Sequence, residues 1–365
     1  MRRMKHFQKQ VGLFLVCGLI SLSTVWAMEP SHMEHSHSAG TWMFELKAMH
    51  MKMDGLRHGT NDVSLAKATS SKNMGNENQD HMNHKMTARE TMNHMEGDDD
   101  DHGDGGLGYM MAPTDMTMDM LMLMPMYNFT SRLSGMVMVN YLRNEMNMEN
   151  NQGGTMKMKS EGQGDTQASL SYKFADDHLA ASLGVGIPTG SIDEKGTVMG
   201  RRNSQLPYAM QLGSGSYDVI SAMTYLDGMY DWNWGSQFKL TYRTDENDND
   251  YRLGHQAEAV AWIRRPLGRF SVFGELSYKK WGAIHGADPK IKKMMTMPDG
   301  MSMKSTPTAD PTNSGGELAL ATLGASTFLG PVTLGLEITT PFMQDFNGVQ
   351  MKQDLSGAVS VTAMF

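Results

Sequence analysis

The sequence predicts an all-β chain: a transmembrane antiparallel β-barrel, of twelve strands, with long flexible external loops. Three observations predict it. The last eleven residues put Leu355, Gly357, Val359, Val361, Ala363 and Phe365 on one face and Ser356, Ala358, Ser360, Thr362 and Met364 on the other. That period of two is the strand period, and an aromatic last residue suits a closing strand at a membrane interface. The same half-polar alternation recurs upstream, and a signal-like segment opens the chain.

Composition is compatible with this. Hydrophobic residues make up 40% of 365 positions, and mean hydropathy is -0.42. A helical bundle could not span a bilayer on that composition; a barrel can, because only alternate strand residues face lipid. A net charge of -8 argues against a broad nucleic-acid surface. Methionine is the anomaly, with 39 residues.

Arg2, Arg3, Lys5 and Lys9 precede the apolar stretch Val11–Leu22, and Val25-Trp26-Ala27 offers small residues where a signal peptidase reads. Residues 1–27 are therefore expected to be a signal peptide. The apolar core is about 12 residues long, short of the ~20 that a membrane helix needs. Cys17 is the one cysteine, so the processed chain has no disulfide and no thiolate metal chemistry.

Residues 28–40 form a His/Met-rich arm, with His32, His35 and His37, expected in the periplasm. The barrel is expected over 41–365. Its first strand is predicted over Thr41–Met53, with Trp42, Phe44, Leu46 and Ala48 toward lipid and the thioether and charged face inward. A long external loop, 54–108, carries His58, His81, His84, His94, His102 and the acidic run Asp98–Asp101. Its composition cannot build a core. The second strand alternates Met116, Met118, Met120, Met122, Met124 and Met126 with Thr117, Asp119, Leu121, Leu123, Pro125 and Tyr127. Leu121, Leu123 and Tyr127 put the odd face in lipid, with Asp119 near the rim. The third is predicted over Arg132–Arg143, followed by a polar loop, 144–162. The others are predicted over Gln163–Phe174, Leu179–Ile187, Tyr217–Leu226, Trp232–Arg243, Tyr251–Arg265, Phe270–Trp281, Gly316–Phe328 and Val332–Pro341. A last loop, Met343–Lys352, precedes the closing strand. Short connections alternate with long ones, as in outer-membrane barrels.

Four stretches, GTWMFELKAMHMKMDGLRHGT, MMAPTDMTMDMLMLMPMYNFTSRLSGM, GQGDTQASLSYKF and LGVGIPTGSID, resemble outer-membrane transporter barrels grouped with the phenol meta-pathway degradation channels. Methionine-rich members of that group are associated with copper or heavy-metal resistance. The resemblance implies a barrel in the bacterial outer membrane and transport, and carries over no catalytic residues.

A thioether binds Cu(I) without deprotonation. Alternate side chains on one strand stand roughly 6.5 Å apart, too far for neighbours to chelate tightly. Met43, Met49, Met51, Met120, Met122, Met124, Met136 and Met138 are expected to point inward from three adjacent strands, making a soft wall of weak sequential sites. Weak sites suit passage, because an ion must also leave. Methionine also fills irregular apolar space. His81, His84, His94 and His102 are candidate ligands for Cu(II), Zn(II) or Ni(II), or hydrated loop residues. Three readings stay open: a channel for copper or another soft metal, a channel for small aromatic or apolar solutes, and a non-transporting metal-binding or structural barrel. No cofactor is firmly implied beyond transported or bound copper, and no enzyme signature selects a nucleophile and base. Expected partners are outer-membrane lipid, the barrel-assembly machinery and a metal ion or small solute, with no nucleic acid. Glu45, Lys47, Arg243, Arg252, Glu258, Arg264, Glu275 and Lys279 are expected at the lumen or rim, since Arg or Lys facing mid-bilayer costs about 2–4 kcal/mol.

Overall fold

A computed structural model describes residues 38–70, 106–174, 178–296 and 302–365. The expected signal peptide, His32, His35 and His37 of the expected arm, and His81, His84, His94, His102 and Asp98–Asp101 lie outside the described residues.

The wall is β1 (Trp42–Gly59), β2 (Ala112–Asn128), β3 (Leu133–Glu149), β4 (Thr166–Phe174), β5 (Leu179–Ile187), β6 (Asp218–Met229), β7 (Trp232–Arg243), β8 (Gln256–Leu267), β9 (Phe270–Trp281), β10 (Gly316–Leu329) and β11 (Val332–Met364). Each pairs antiparallel with the one before, and β11 closes on β1. Trp42 and Phe365 exchange backbone hydrogen bonds at 3.0 Å, which seals the seam. The element β11 has 33 residues. Straight, it would run about 110 Å, yet the Met364 N–H donates to the Pro331 carbonyl at 3.1 Å. It doubles back at Asn347-Gly348, where Gly348 has φ 66. Its first arm pairs with β10 and its second with β1. Eleven strand elements thus cross the wall twelve times among the described residues.

The bilayer edge can be read from the register. Ala48, Leu121 and Tyr141 face one another across β1, β2 and β3, all pointing outward. One row further along, the outward residues are His50, Asp119 and Arg143, with His50 Nδ1 2.6 Å from Asp119 Oδ1. Apolar side chains give way to charge within a single row on all three strands, as Asp119 near the rim predicts. At the opposite end, Trp42, Tyr127, Phe129 and Phe365 form an aromatic rim. Exposed Leu170, Leu183, Phe238, Leu323, Leu336 and Ile338 continue the belt around the wall. Such a belt is stable in hydrocarbon and unfavourable in water. Leu323→Arg is accordingly expected to lower unfolding free energy in lipid vesicles by about 2–4 kcal/mol, measured by urea titration of tryptophan fluorescence. An unchanged transition would take this face out of lipid.

The sequence reading needs four corrections. Strand β1 continues to Gly59 and then pairs back with Asn61–Val63, so the loop expected from 54 begins later. The polar loop expected over 144–162 is mostly sheet: β3 runs to Glu149, and Thr155–Gln163 returns beside it. The loop expected over Met343–Lys352 is the paired tip of β11. Tyr251 and Arg252 pair with His285-Gly286 in a loop ladder, and β8 starts at Gln256, so Arg252 is outside the wall. The cause is shared. Beyond the bilayer the outward face is polar, and the apolar alternation that marks a membrane strand fades although hydrogen-bonded pairing continues.

Candidate functional site: a methionine chamber above a plug

The inward faces of β1, β2 and β3 are thioether surfaces because their methionines share one parity. All eight methionines expected inward, Met43, Met49, Met51, Met120, Met122, Met124, Met136 and Met138, are buried, at 0–8% exposure. Register sets them opposite one another. Met43, Met126 and Met136 form one cross-strand row, Met49 and Met120 another, and Met51 and Met118 a third. Met53, Met116, Met146 and Met158 make a row of four. Directly opposed side chains on paired strands have Cβ atoms about 4.5–5.5 Å apart. Met146, Met148, Met156 and Met158 were absent from the expected set, although they alternate with Asn147, Lys157 and Lys159 at the same period.

Two of the eight do not join the main cluster. Met43 and Met136, with Met126, pack against Leu226, Val260 and Trp262 from the facing wall. This apolar plug lies at the end where the chain termini and the short turns meet. Trp262 can lie across the lumen because its cross-strand neighbour on β7 is Gly235. A Cβ there would collide with the indole.

Above the plug, charges cross-link the wall. Lys47 Nζ is 2.8 Å from Glu337 Oε2, Lys239 Nζ is 2.7 Å from Glu258 Oε2, and Arg243 pairs with Asp218. Glu45, Arg264, Glu275 and Lys279 alternate to the same inward side. Lys47, Met122 and Thr224, from β1, β2 and β6, are all 0% exposed. Water does not reach these three side chains. Lys239–Glu258 and Arg243–Asp218 join directly opposed residues of neighbouring strands, so these pairs brace the wall along the barrel instead of bridging the lumen.

The far end is roofed by loops. Residues 188–217 lay Leu206 and Met210 onto the methionine face, with Val198 and Met199 beside them. The Met199 N–H points at Met156 Sδ, 3.1 Å away. Asp165 clips the neck of this loop. Its Oδ1 accepts from Gly190 N at 3.0 Å and its Oδ2 from Ser214 N at 2.8 Å. The other loops interlock over the mouth: Lys290 Nζ donates to Asp193 Oδ1 and Asn249 Oδ1, and Asp288 N donates to the Tyr208 hydroxyl at 2.9 Å.

Roof and wall enclose a cavity of about 130 Å³. Met53, Met116, Met120, Met146, Leu142 and Leu253 line one side of it, Tyr208 and Tyr251 meet edge-to-face at 5.0 Å, and Asn140, Asp165, Gln167, Gln211, Asp310, Asn313 and Gln350 add polar groups. Burial pushes the Tyr208 phenol up to about 12 and the Tyr251 phenol up as well. Both rings are therefore neutral near pH 7. Burial also raises the Asp288 carboxyl and lowers the His255 imidazole, whereas the Lys290–Asp193 pair at the mouth keeps both of its charges. Among the described residues, no group of three or more His, Cys, Asp or Glu side chains is placed to hold a metal. That statement does not extend to thioethers.

No protein-family model and no curated protein matches the chain. Solved structures do share its fold. An outer-membrane channel from Pseudomonas putida F1 superposes with a TM-score of 0.55 at 13% identity, covering 93% of this chain and 100% of that one. The transport unit of an Escherichia coli autotransporter aligns at a TM-score of 0.45, 8% identity and 94% of each chain. The toluene transporter TodX of P. putida aligns at 0.41, 10% identity and 92% of each. The last two superpose too loosely to carry an argument. The first shares the architecture alone: the fold is that of an outer-membrane channel, and the apolar belt puts this chain in a bilayer.

Proposed function

We propose that this chain is an outer-membrane channel that takes small apolar solutes, aromatic ones included, through its methionine chamber. The observation that carries the reading is the cavity. Its volume, about 130 Å³, is near the ~150 Å³ of an apolar cavity that accepts benzene, and its methionine side offers a ring an apolar wall. Methionine suits such a wall, because its flexible side chain adapts to shape and each sulfur–aromatic contact contributes about 0.3–1.5 kcal/mol. The plug below packs side chains from facing walls across the lumen, so passage requires it to move. Filling the chamber with Met120→Trp is expected to cut toluene uptake by intact cells expressing the protein at least fivefold, at equal folded protein by heat-modifiable migration. Unchanged uptake would reject the chamber as the route.

A second reading is favoured by one observation, the in-register methionine rows. Opposed thioethers could hold Cu(I) or another soft ion in steps, the role expected of Met43, Met49, Met51, Met120, Met122, Met124, Met136 and Met138. Ag(I), a redox-stable probe of such sites, separates the two. Replacing these eight methionines by leucine keeps apolar volume. Saturable Ag(I) binding by calorimetry that disappears in the leucine protein would support the metal reading. Toluene uptake retained within twofold in that protein would support the apolar-solute reading.

A further inference from the structure

The outward wall carries a groove that neither the chamber nor the lumen uses. It crosses β1 to β5 near the end bearing the short turns, and its volume is about 710 Å³. Small residues make its floor. Gly135 and Ala168 face outward, opposite Leu170 and Val137 on the neighbouring strands. At Gly135 a Cβ would come within 2.9 Å of the Phe129 ring. Leu170, Leu183 and Val185 form one bank. Trp42, Tyr127 and Phe129 form the other, in tilted and edge-on contact at 4.8 and 5.0 Å.

Position says what fills it. The groove is continuous with the lipid-facing belt, so it opens into hydrocarbon. Its aromatic bank is the rim at the chain-termini end, where Trp and Tyr mark the headgroup level. Short turns face the periplasm in barrels of this kind, which assigns this rim to the periplasmic leaflet. Four strand spacings of about 4.8 Å give the groove a run of roughly 19 Å across the strands, which a strand tilt of about 35–45° turns into a rise of roughly 11–13 Å along the membrane normal. One leaflet of a hydrocarbon core some 30 Å thick is about 15 Å deep. We propose that this groove is a binding site for one acyl chain of a periplasmic-leaflet phospholipid, held more firmly than the surrounding lipid. Met136 adds a consequence: it borders the groove and also belongs to the plug. A seated chain therefore packs against the back of the wall that carries the closed end.

Native mass spectrometry of the full-length processed protein tests this, after delipidation and addition of phosphatidylethanolamine with 16- and 18-carbon chains. Ala168 faces outward at the groove floor, so Ala168→Trp fills it without entering the lumen. Ala261→Trp places the same bulk on the lipid face of β8, outside the groove. Wild type and Ala261→Trp are expected to retain one phospholipid, and Ala168→Trp to retain it at least tenfold less. Heat-modifiable migration checks that each variant is folded. Equal retention in Ala168→Trp and wild type would overturn the proposal. So would preferential retention of lipid A, the lipid of the other leaflet, or a dimer mass that Ala168→Trp abolishes, which would assign the groove to a second copy.

Discussion

Asp165→Ala is expected to release the roof of the chamber. The Asp165 carboxylate accepts one N–H from each side of the loop neck, Gly190 and Ser214. Hydrogen bonds to a charged group contribute about 1.5–3 kcal/mol each, so the pair holds the neck by roughly 3–6 kcal/mol. At about 1.4 kcal/mol per factor of ten, amide exchange over residues 190–213 should accelerate by about a hundredfold or more. The barrel should remain intact, because Asp165 sits where the sheet is already interrupted: β3 pairs with Thr166–Phe174 below it and with Thr155–Gln163 above. Hydrogen–deuterium exchange in nanodiscs checks this. Unchanged protection of 190–213 would mean that the packing of Leu206 and Met210 alone holds the roof. Asp165→Asn, which keeps an acceptor oxygen, should give a smaller acceleration.

Trp262→Ala is expected to open the plugged end. The indole is 5% exposed and joins β8 to Leu226 and to the methionines of β1, β2 and β3. Truncating a buried Trp costs about 3–5 kcal/mol, here largely as lost plug packing, since the wall hydrogen bonds are untouched. Planar-bilayer recordings should show small, brief conductance events for wild type and frequent, longer ones for Trp262→Ala. Gly235→Val approaches the same state differently, by taking the space the indole occupies. Silence in both variants would shift the barrier above the plug, to the level of the buried Lys47 and Lys239.

Both variants act on features of different legibility. The membrane wall was readable because lipid imposes strict alternation: Trp42, Phe44, Leu46 and Ala48 fix one face of β1, and Leu355–Phe365 fixes the closing arm. The inward parity of Met43 through Met138 followed from the same rule. The outer extensions were not readable. Around Glu145, Lys157 and Lys159 the outward face is charged and pairs across strands, so polar residues there mark solvent-facing sheet and look like loop. The plug and the roof depend on contacts between distant segments, such as Trp262 over Gly235 or Asp165 against Ser214, which no local period encodes. Asp165 carries no motif; its role comes from the interrupted sheet and the two chain segments that meet there.

The central claim is that the methionine chamber binds a small apolar solute. Methyl-labelled methionine NMR in nanodiscs, with toluene as titrant, tests it most directly. The account predicts saturable shifts, from the ring current of a bound aromatic, at the methyls of Met53, Met116, Met120 and Met146, and little change at Met43 and Met126 in the plug. Shifts that grow without saturation and equally at all methionines would indicate partition into lipid and would contradict it.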